Sequence, residues 1–215
     1  MEITVKQMMQ IEENGHQMGF LRKFMMENAG AAATRRLVDK VGDISLKKVL
    51  VFAGLGNNGG DALVISRHLA GFGAAVTLVL LGNPDKIKTE ESRWNWQLLE
   101  KMNSVKLITG EQTQYNFDAD IIIDGILGTG ITGTIREPYT SAISFINKSK
   151  AFKLAVDVPS GLDPDTGNTA NLCVKADMTV TFHKMKIGMP KRKDICGKIF
   201  VEKIGIPPEA EVGVL

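Results

Sequence analysis

The sequence has little of several features that would point to a specialised class of protein. It contains 2 cysteines and 3 histidines in 215 residues, and Cys173 and Cys196 are too few for a disulfide scaffold or a four-ligand zinc site. A formal net charge of +2 gives no reason to expect nucleic acid as a partner. No stretch reaches the ~18 apolar residues of a membrane span, and the start lacks the apolar core of a signal peptide. These absences predict a cytoplasmic protein that binds neither membrane nor nucleic acid.

What is present is typical of one globular domain. Hydrophobic residues make up 44% and charged residues 23% of the chain, and its 22 glycines stand out. A chain of this length can bury one substantial core. We therefore expect residues 1–215 to form a single domain.

The apolar pattern alternates between helices and strands. Helical spacing covers the first forty residues, with a break near Gly15 and Gly19. From Lys47 onward, short apolar runs alternate with helical segments, which predicts a doubly wound α/β fold with a mostly parallel sheet. The last two predicted strands are MTVTFHK and GKIFVEKIG. The stretch 184–194 joins them, and we expect an antiparallel edge there.

Three predicted strands end in unusual loops, and ligands bind beyond the carboxyl ends of strands in open parallel sheets. The loop 54–61 is rich in glycine and can bring helix-start amides to an anion, although it is neither a Walker loop nor the simple dinucleotide fingerprint. Considered without the other two loops, this loop could be only a tight turn between a strand and a helix. Asp124 ends the run IIID, ahead of a loop of glycine and threonine, and should project from the ligand-binding edge of the sheet. Alternatively, it could make only local hydrogen bonds within a turn. Asp157 and Ser160 end a third strand, so that carboxylate and hydroxyl groups converge.

These residue types could also hold a cation, because amide, hydroxyl and carboxylate oxygens suit hard cations. Among the histidines, His16 and His68 fit structural or surface roles, and His183 is a weaker site candidate. Lys186 belongs to a basic stretch that is most often solvated, and its functional role would be to complement phosphates.

Taken together, these motifs resemble the NAD(P)H-hydrate epimerases, the YjeF N-terminal domain family. The matching segments are MMENAGAAA, GLGNNGGDALVISRHL, DGILGTGITGTIREPY, AVDVPSGLDPDTG, TFHKMKIGM and GKIFVEKIGIP. They occur in one order across nearly the whole chain, which makes the resemblance far more specific than the glycine loop. It implies a Rossmann-like three-layer sandwich. The chain departs from the family at Ala62, where glycine is usual, and in the composition of the loop 128–134.

The resemblance also implies a reaction and its residues. The substrates would be NADHX and NADPHX, whose R and S epimers are interconverted. A separate dehydratase, which accepts only the S form, could then restore NAD(P)H. Potassium would be the cofactor, bound by Asn58, Asp124 and Ser160. The resemblance implies substrate contacts from Asn57, Asn58, Gly59, Gly60, Asp61, Gly128, Thr129, Gly130, Ile131, Thr132, Gly133, Thr134 and Asp157.

Assisted departure of the hydroxyl group and return of water to the other face would epimerise the hydrated carbon. Asp124 is the predicted catalytic carboxylate, as acid, base or stabiliser of positive charge. A non-catalytic scaffold and a conventional dehydrogenase are the alternatives. We expect no dehydratase domain, and the apolar N-terminal helices favour a homodimer.

Overall fold

The computed structural model describes residues 1–111, 113–130 and 133–215. A parallel sheet of seven strands forms its centre, and a separate pair of short strands joins the N-terminus to a late segment. The elements are β1 (Glu2–Ile3), α1 (Val5–Gln17), α2 (Arg22–Val41), β2 (Lys48–Ala53), α3 (Asn57–Gly71), β3 (Ala75–Leu81), α4 (Glu90–Leu99), β4 (Val105–Gly110), β5 (Ile121–Gly125), α5 (Tyr139–Lys148), β6 (Phe152–Val156), β7 (Met178–Phe182), β8 (Met185–Lys186), α6 (Lys193–Cys196) and β9 (Lys198–Glu202).

The strand order is β4-β3-β2-β5-β6-β7-β9. All neighbours run parallel, which confirms the predicted α/β class. The order reverses between β2 and β5, and a ligand crevice is expected at such a switch point. The predicted antiparallel edge is wrong, because β9 pairs with β7 in parallel. The segment between them carries the chain back across the edge through β8 and α6, so that β9 starts at the same end as β7.

Two apolar layers cover the two faces of the sheet. Alternate residues of β2 point in opposite directions: Val49 and Val51 join the core that contains α2, α3 and α4, whereas Leu50 and Phe52 join the core that contains α5. This alternation follows from the two-residue period of a strand. The predicted three-layer sandwich is therefore confirmed.

The N-terminal region forms the two predicted helices. The chain turns between α1 and α2 at Gly19, whose φ of 97° favours glycine. Thr4 and Gln7 form a capping box at the start of α1. The sequence did not predict β1, which pairs with β8 and places Ile3 beside Lys186. In the described part of the chain, no helix has both the length and the apolar character to span a membrane.

Candidate functional site

A cavity of about 780 Å³ lies at the carboxyl ends of β2, β5 and β6, and α1 and α2 complete its wall. The loops after β2 and β5 meet here, at the point where strand order reverses. The predicted substrate contacts that line it are Asn57, Asn58, Asp61, Gly128, Thr129, Gly130 and Asp157.

Other predicted contacts lie elsewhere. Gly59 and Gly60 are buried by packing: a Cβ atom on Gly59 would lie 1.9 Å from the backbone oxygen of Gly54. Gly133 and Thr134 are exposed and are not among the described residues that line the cavity. Ile131 and Thr132 lie outside the described residues. The two helix glycines therefore act on packing, and they allow the neighbouring residues to face the cavity.

Close backbone contact shapes the switch point. A Cβ atom on Gly54 would lie 1.9 Å from the backbone oxygen of Ile126, so only glycine allows the loops after β2 and β5 to meet. A Cβ atom on Gly125 would lie 2.4 Å from that of Ala62. Glycine at 125 therefore makes room for the alanine at 62, where the family usually has glycine. The first turn of α3 has no side-chain cap, which leaves its amides free to receive an anion.

Asp124 is the penultimate residue of β5 and is fully buried. The amide and the hydroxyl of Ser160 donate to its two carboxylate oxygens at 2.8 and 2.5 Å. The amide of Ile126 donates to it at 3.3 Å. Burial raises the pKa of Asp124 to about 6, although these hydrogen bonds oppose the rise. Asp124 is not among the described residues that line the cavity, so it lies behind the surface that a substrate would touch.

Asn58 and Ser160 meet at the backbone of Leu127, next to Asp124. The Asn58 amide donates to the Leu127 carbonyl at 3.1 Å, and the Leu127 amide donates to the Ser160 hydroxyl at 2.9 Å. The Oδ1 atom of Asn58 is buried and accepts no hydrogen bond from the described residues. A buried oxygen without a donor is costly. The orphaned amide oxygen, the hydroxyl and the carboxylate therefore form a donor set that suits a hard cation.

Asp157 follows β6 in the left-handed backbone region, with φ at 58°. Its Oδ1 atom accepts hydrogen bonds from Thr181 at 2.9 Å and from the ammonium group of Lys186 at 2.5 Å. Lys186 is only 1% exposed, so the ion pair closes one side of the cavity. The sequence suggested that Lys186 contacts phosphates, but its ammonium group is engaged by Asp157, Thr181 and the Phe182 carbonyl.

Glu12 is one of the cavity residues that sequence reasoning missed. It lies on α1 and lines the cavity with Asp61 of α3. Burial, followed by the charge of Asp157, raises the pKa of Glu12 to about 7. Burial, followed by the charges of Asp157 and Glu12, raises the pKa of Asp61 well above its ordinary value. An acidic residue on an amphipathic helix gives no signal of its own, because such residues are usually on the solvated face.

The histidines lie outside the cavity lining. His183 is buried, and its Nε2 atom lies 2.9 Å from Glu211. Burial lowers the pKa of His183. His68 lies 2.8 Å from Glu27 at the surface of α3. None of the described residues that line the cavity is a histidine, and these contacts indicate structural roles.

Comparison with known proteins agrees with this geometry. The family model described as "YjeF-related protein N-terminus" matches residues 22–188. The chain is 67% identical to an NAD(P)H-hydrate epimerase of Nitrosopumilus maritimus and 66% identical to one of Cenarchaeum symbiosum, over 100% of each chain. A bifunctional NAD(P)H-hydrate repair enzyme of Hyperthermus butylicus is 44% identical over 95% of this chain and 38% of its own length.

The fold is also shared with a solved structure. The crystal structure of the yeast protein Ynu0 superposes with a TM-score of 0.79 at 24% identity, and the match covers 94% of this chain and 88% of that one. At that identity the likeness shows the fold alone. The family match spans most of the chain and includes all three loops that surround the cavity. The chain therefore belongs to the family of YjeF-related protein N-termini.

Proposed function

We propose that this chain is an NAD(P)H-hydrate epimerase, an isomerase that interconverts the R and S forms of NADHX and NADPHX. The observation that carries the proposal is the 67% identity, over the full length of both chains, to a protein of that name. The cavity at the switch point of the sheet lies where this fold binds dinucleotides.

The cavity provides for both ends of a hydrated dinucleotide. Its volume of about 780 Å³ is within the common range for small-molecule sites. The uncapped first turn of α3 supplies amides for the phosphates, and Lys6, Arg22 and Lys88 add positive charge at the lining. The acidic residues Glu12, Asp61 and Asp157 line the same cavity. Phosphates would therefore bind at these amides and basic side chains, and the nicotinamide ring would face the carboxylates.

The reaction requires a cationic ring to form and to be hydrated again. The hydroxyl group leaves the hydrated carbon as water, the ring nitrogen forms a double bond to that carbon, and water returns to the other face. Asp157 would stabilise the positive ring. Lys186 and Thr181 hold its carboxylate in place through the Oδ1 atom. Among the described residues, none donates a hydrogen bond to its Oδ2 atom. That oxygen is free to face the substrate.

Potassium is the cofactor we propose, held by Asn58, Asp124 and Ser160. When bound, the ion would supply a fixed positive charge beneath the loop after β5. The orphaned Oδ1 atom of Asn58 supports this site. The burial of Asp124 and the engagement of both its oxygens support a role in holding the ion and the loop. They do not favour the direct acid–base role that the sequence suggested for Asp124.

The S product would pass to a separate dehydratase. Relatives named bifunctional repair enzymes that match 93–99% of this chain are more than twice as long, and the match covers 38–43% of their length. We also propose a cytoplasmic homodimer. Four large apolar side chains on or next to α1 and α2 are exposed, which supports pairing through these helices. They are Met9, Met18, Leu21 and Phe24, at 38–63% exposure.

The direct test is epimerisation of purified R-NADPHX, followed by separating the epimers and compared with a sample without protein. We expect the S epimer to appear at a rate proportional to protein concentration, and adding an S-specific dehydratase should then yield NADPH. A rate that stays at the protein-free level would refute the proposal and favour a scaffold. Conversion of S-NADHX to NADH with ADP by this chain alone would refute the separation of the two activities.

A further inference from the structure

Six carboxylates line the cavity or lie directly behind it, and they differ in how they are held. They are Glu12, Glu13, Asp61, Glu91 and Asp157 in the lining and Asp124 behind it. Asp124 and Asp157 are held by hydrogen bonds, from Ser160 in the first case and from Thr181 and Lys186 in the second. Glu12 and Asp61 are different. Among the described residues, none donates a hydrogen bond to either side chain. A shielded carboxylate without donors is expensive to ionise, and such groups are found where function requires them.

Glu12 is held in place by the anchoring of α1. The pairing of Ile3 with Lys186 fixes the start of the chain next to the cavity, and the amide of Val5 donates to Asp165 at 2.8 Å. Asn14 donates to the carbonyl of Ala210 at 2.9 Å at the other end of the helix. Contacts at both ends therefore hold the helix that presents Glu12 to the cavity.

We propose that Glu12 and Asp61 form the acid–base pair that moves protons during epimerisation. This assignment rests on the proposed function. Both side chains line the cavity from different helices, α1 and α3, and both are free of other partners. The pair can therefore reach the substrate from two walls, which is what a reaction on two faces of one carbon needs.

The proton balance closes within the pair. The protonated carboxyl group gives its proton to the hydroxyl group of the substrate, the carbon–oxygen bond breaks, and water leaves as the ring nitrogen supplies its electron pair. Water then adds to the opposite face, and the ionised partner takes its proton. One proton has moved from one carboxyl group to the other, and its return between them restores the enzyme. No oxidant or other reactant is consumed.

The electrostatics of the cavity favour one shared proton. Burial raises the pKa of both groups, and the charge of Glu12 adds to the rise at Asp61. Neighbouring carboxyl groups that interact in this way titrate as a pair. The rise of the Glu12 pKa to about 7 leaves it partly ionised at neutral pH, as a base requires, while the raised pKa of Asp61 favours its protonated form. The other charged groups that act on the pair are Asp157, Lys186, Arg22 and Glu91.

The test compares Glu12→Gln, Asp61→Asn and the double variant with the wild type in the R-NADPHX assay. Each single change should lower kcat by about 10²–10⁴-fold, the usual value of a positioned acid or base, and should change KM by only a few-fold. Because the two groups act as a unit, the kcat of the double variant should be within about tenfold of the kcat of the less active single variant. Glu12→Asp keeps the carboxylate and should retain part of the activity.

The pH profile separates proton transfer from a structural role. Wild-type kcat/KM should fall as the pH drops below about 7, because Glu12 becomes protonated. Glu12→Gln should lose that limb. Glu100→Gln is the control: Glu100 is exposed at the end of α4 and is not among the described residues that line the cavity. Its activity and its acidic limb should match the wild type.

Three outcomes decide the assignment. A folded Glu12→Gln variant with kcat within about threefold of the wild type and an unchanged acidic limb would overturn it. Equal losses in Glu12→Gln and Glu100→Gln would show that only the net charge of the protein matters, and would also overturn the assignment. If the wild type does not epimerise R-NADPHX, the proposed function fails, and the acid–base pair with it.

Discussion

Replacing Glu12 by glutamine should stabilise the protein at high pH while it removes activity. The shielded carboxylate has a pKa of about 7 in the folded chain, against an ordinary value of 4.5. The folded state therefore holds the proton more tightly than the unfolded state does. Below pH 4.5 both states are protonated and the residue has little effect. Between these two values stability falls as the pH rises, and above about 7 the full cost of ionising Glu12 is present.

The size of this effect follows from the proton affinity. Each tenfold change in affinity is worth about 1.4 kcal/mol, so the rise from 4.5 to about 7 corresponds to on the order of 3 kcal/mol. That figure is an upper value, because water in the open cavity and small movements of α1 reduce the cost. For a domain of this size, 1 kcal/mol shifts the melting temperature by about 2–4 °C. Glu12→Gln should therefore melt several degrees above the wild type at pH 8.5.

Thermal melting at pH 5 and pH 8.5, in the same buffer and salt, measures the effect. The gain from Glu12→Gln should be small at pH 5 and large at pH 8.5. Glu13→Gln serves as the control, since hydrogen bonding to Gln17 and the charge of Arg22 lower the pKa of Glu13. This control should not become more stable at high pH. An equal gain at both pH values, or none at either, would refute the reasoning about the Glu12 environment.

Three further predictions test the rest of the site. Asp124→Asn removes a ligand of the proposed cation, so it should lower epimerisation by about 100-fold or more and abolish its dependence on potassium, measured against choline. Near-normal activity in a folded variant would reject the proposed cation site. Lys186→Met leaves Asp157 without its buried partner and should lower the free energy of unfolding, measured with denaturant, by about 3–5 kcal/mol. Adding Asp157→Asn should restore part of that loss. A Lys186→Met variant as stable as the wild type would contradict the ion pair. Gly54→Ala should prevent folding because of the 1.9 Å approach to a backbone oxygen, whereas Gly56→Ala, with nothing within 4 Å, should fold; soluble, folded Gly54→Ala protein would disprove the close contact of the loops.

The apolar pattern of the chain was enough to predict the layers and the end of the sheet that carries the site. The runs from Lys47 onward are apolar on both faces, and only a sheet covered on both sides buries them. Because the carboxyl ends of parallel strands share one edge, the loops that contain Asn58, Asp124 and Asp157 had to approach one another. The order of these motifs was enough to recognise the family.

The contacts of the individual side chains depend on the tertiary structure. Periodicity records which face of an element is apolar, but not which distant element covers it. Lys186 reads as part of a basic loop, yet β8 pairs with β1 and buries it against Asp157. The direction of β9 depended on the path of the chain across the sheet edge. Glu12 faces the cavity because α1 is anchored at both ends, and Asp124 lies behind the cavity because Ser160 closes over it. The contacts that set the environment of these carboxylates join residues far apart in the chain. Those that hold Asp124 and Asp157 span 36 and 29 positions, and those that anchor α1 span 160 and 196 positions. No local pattern encodes such contacts.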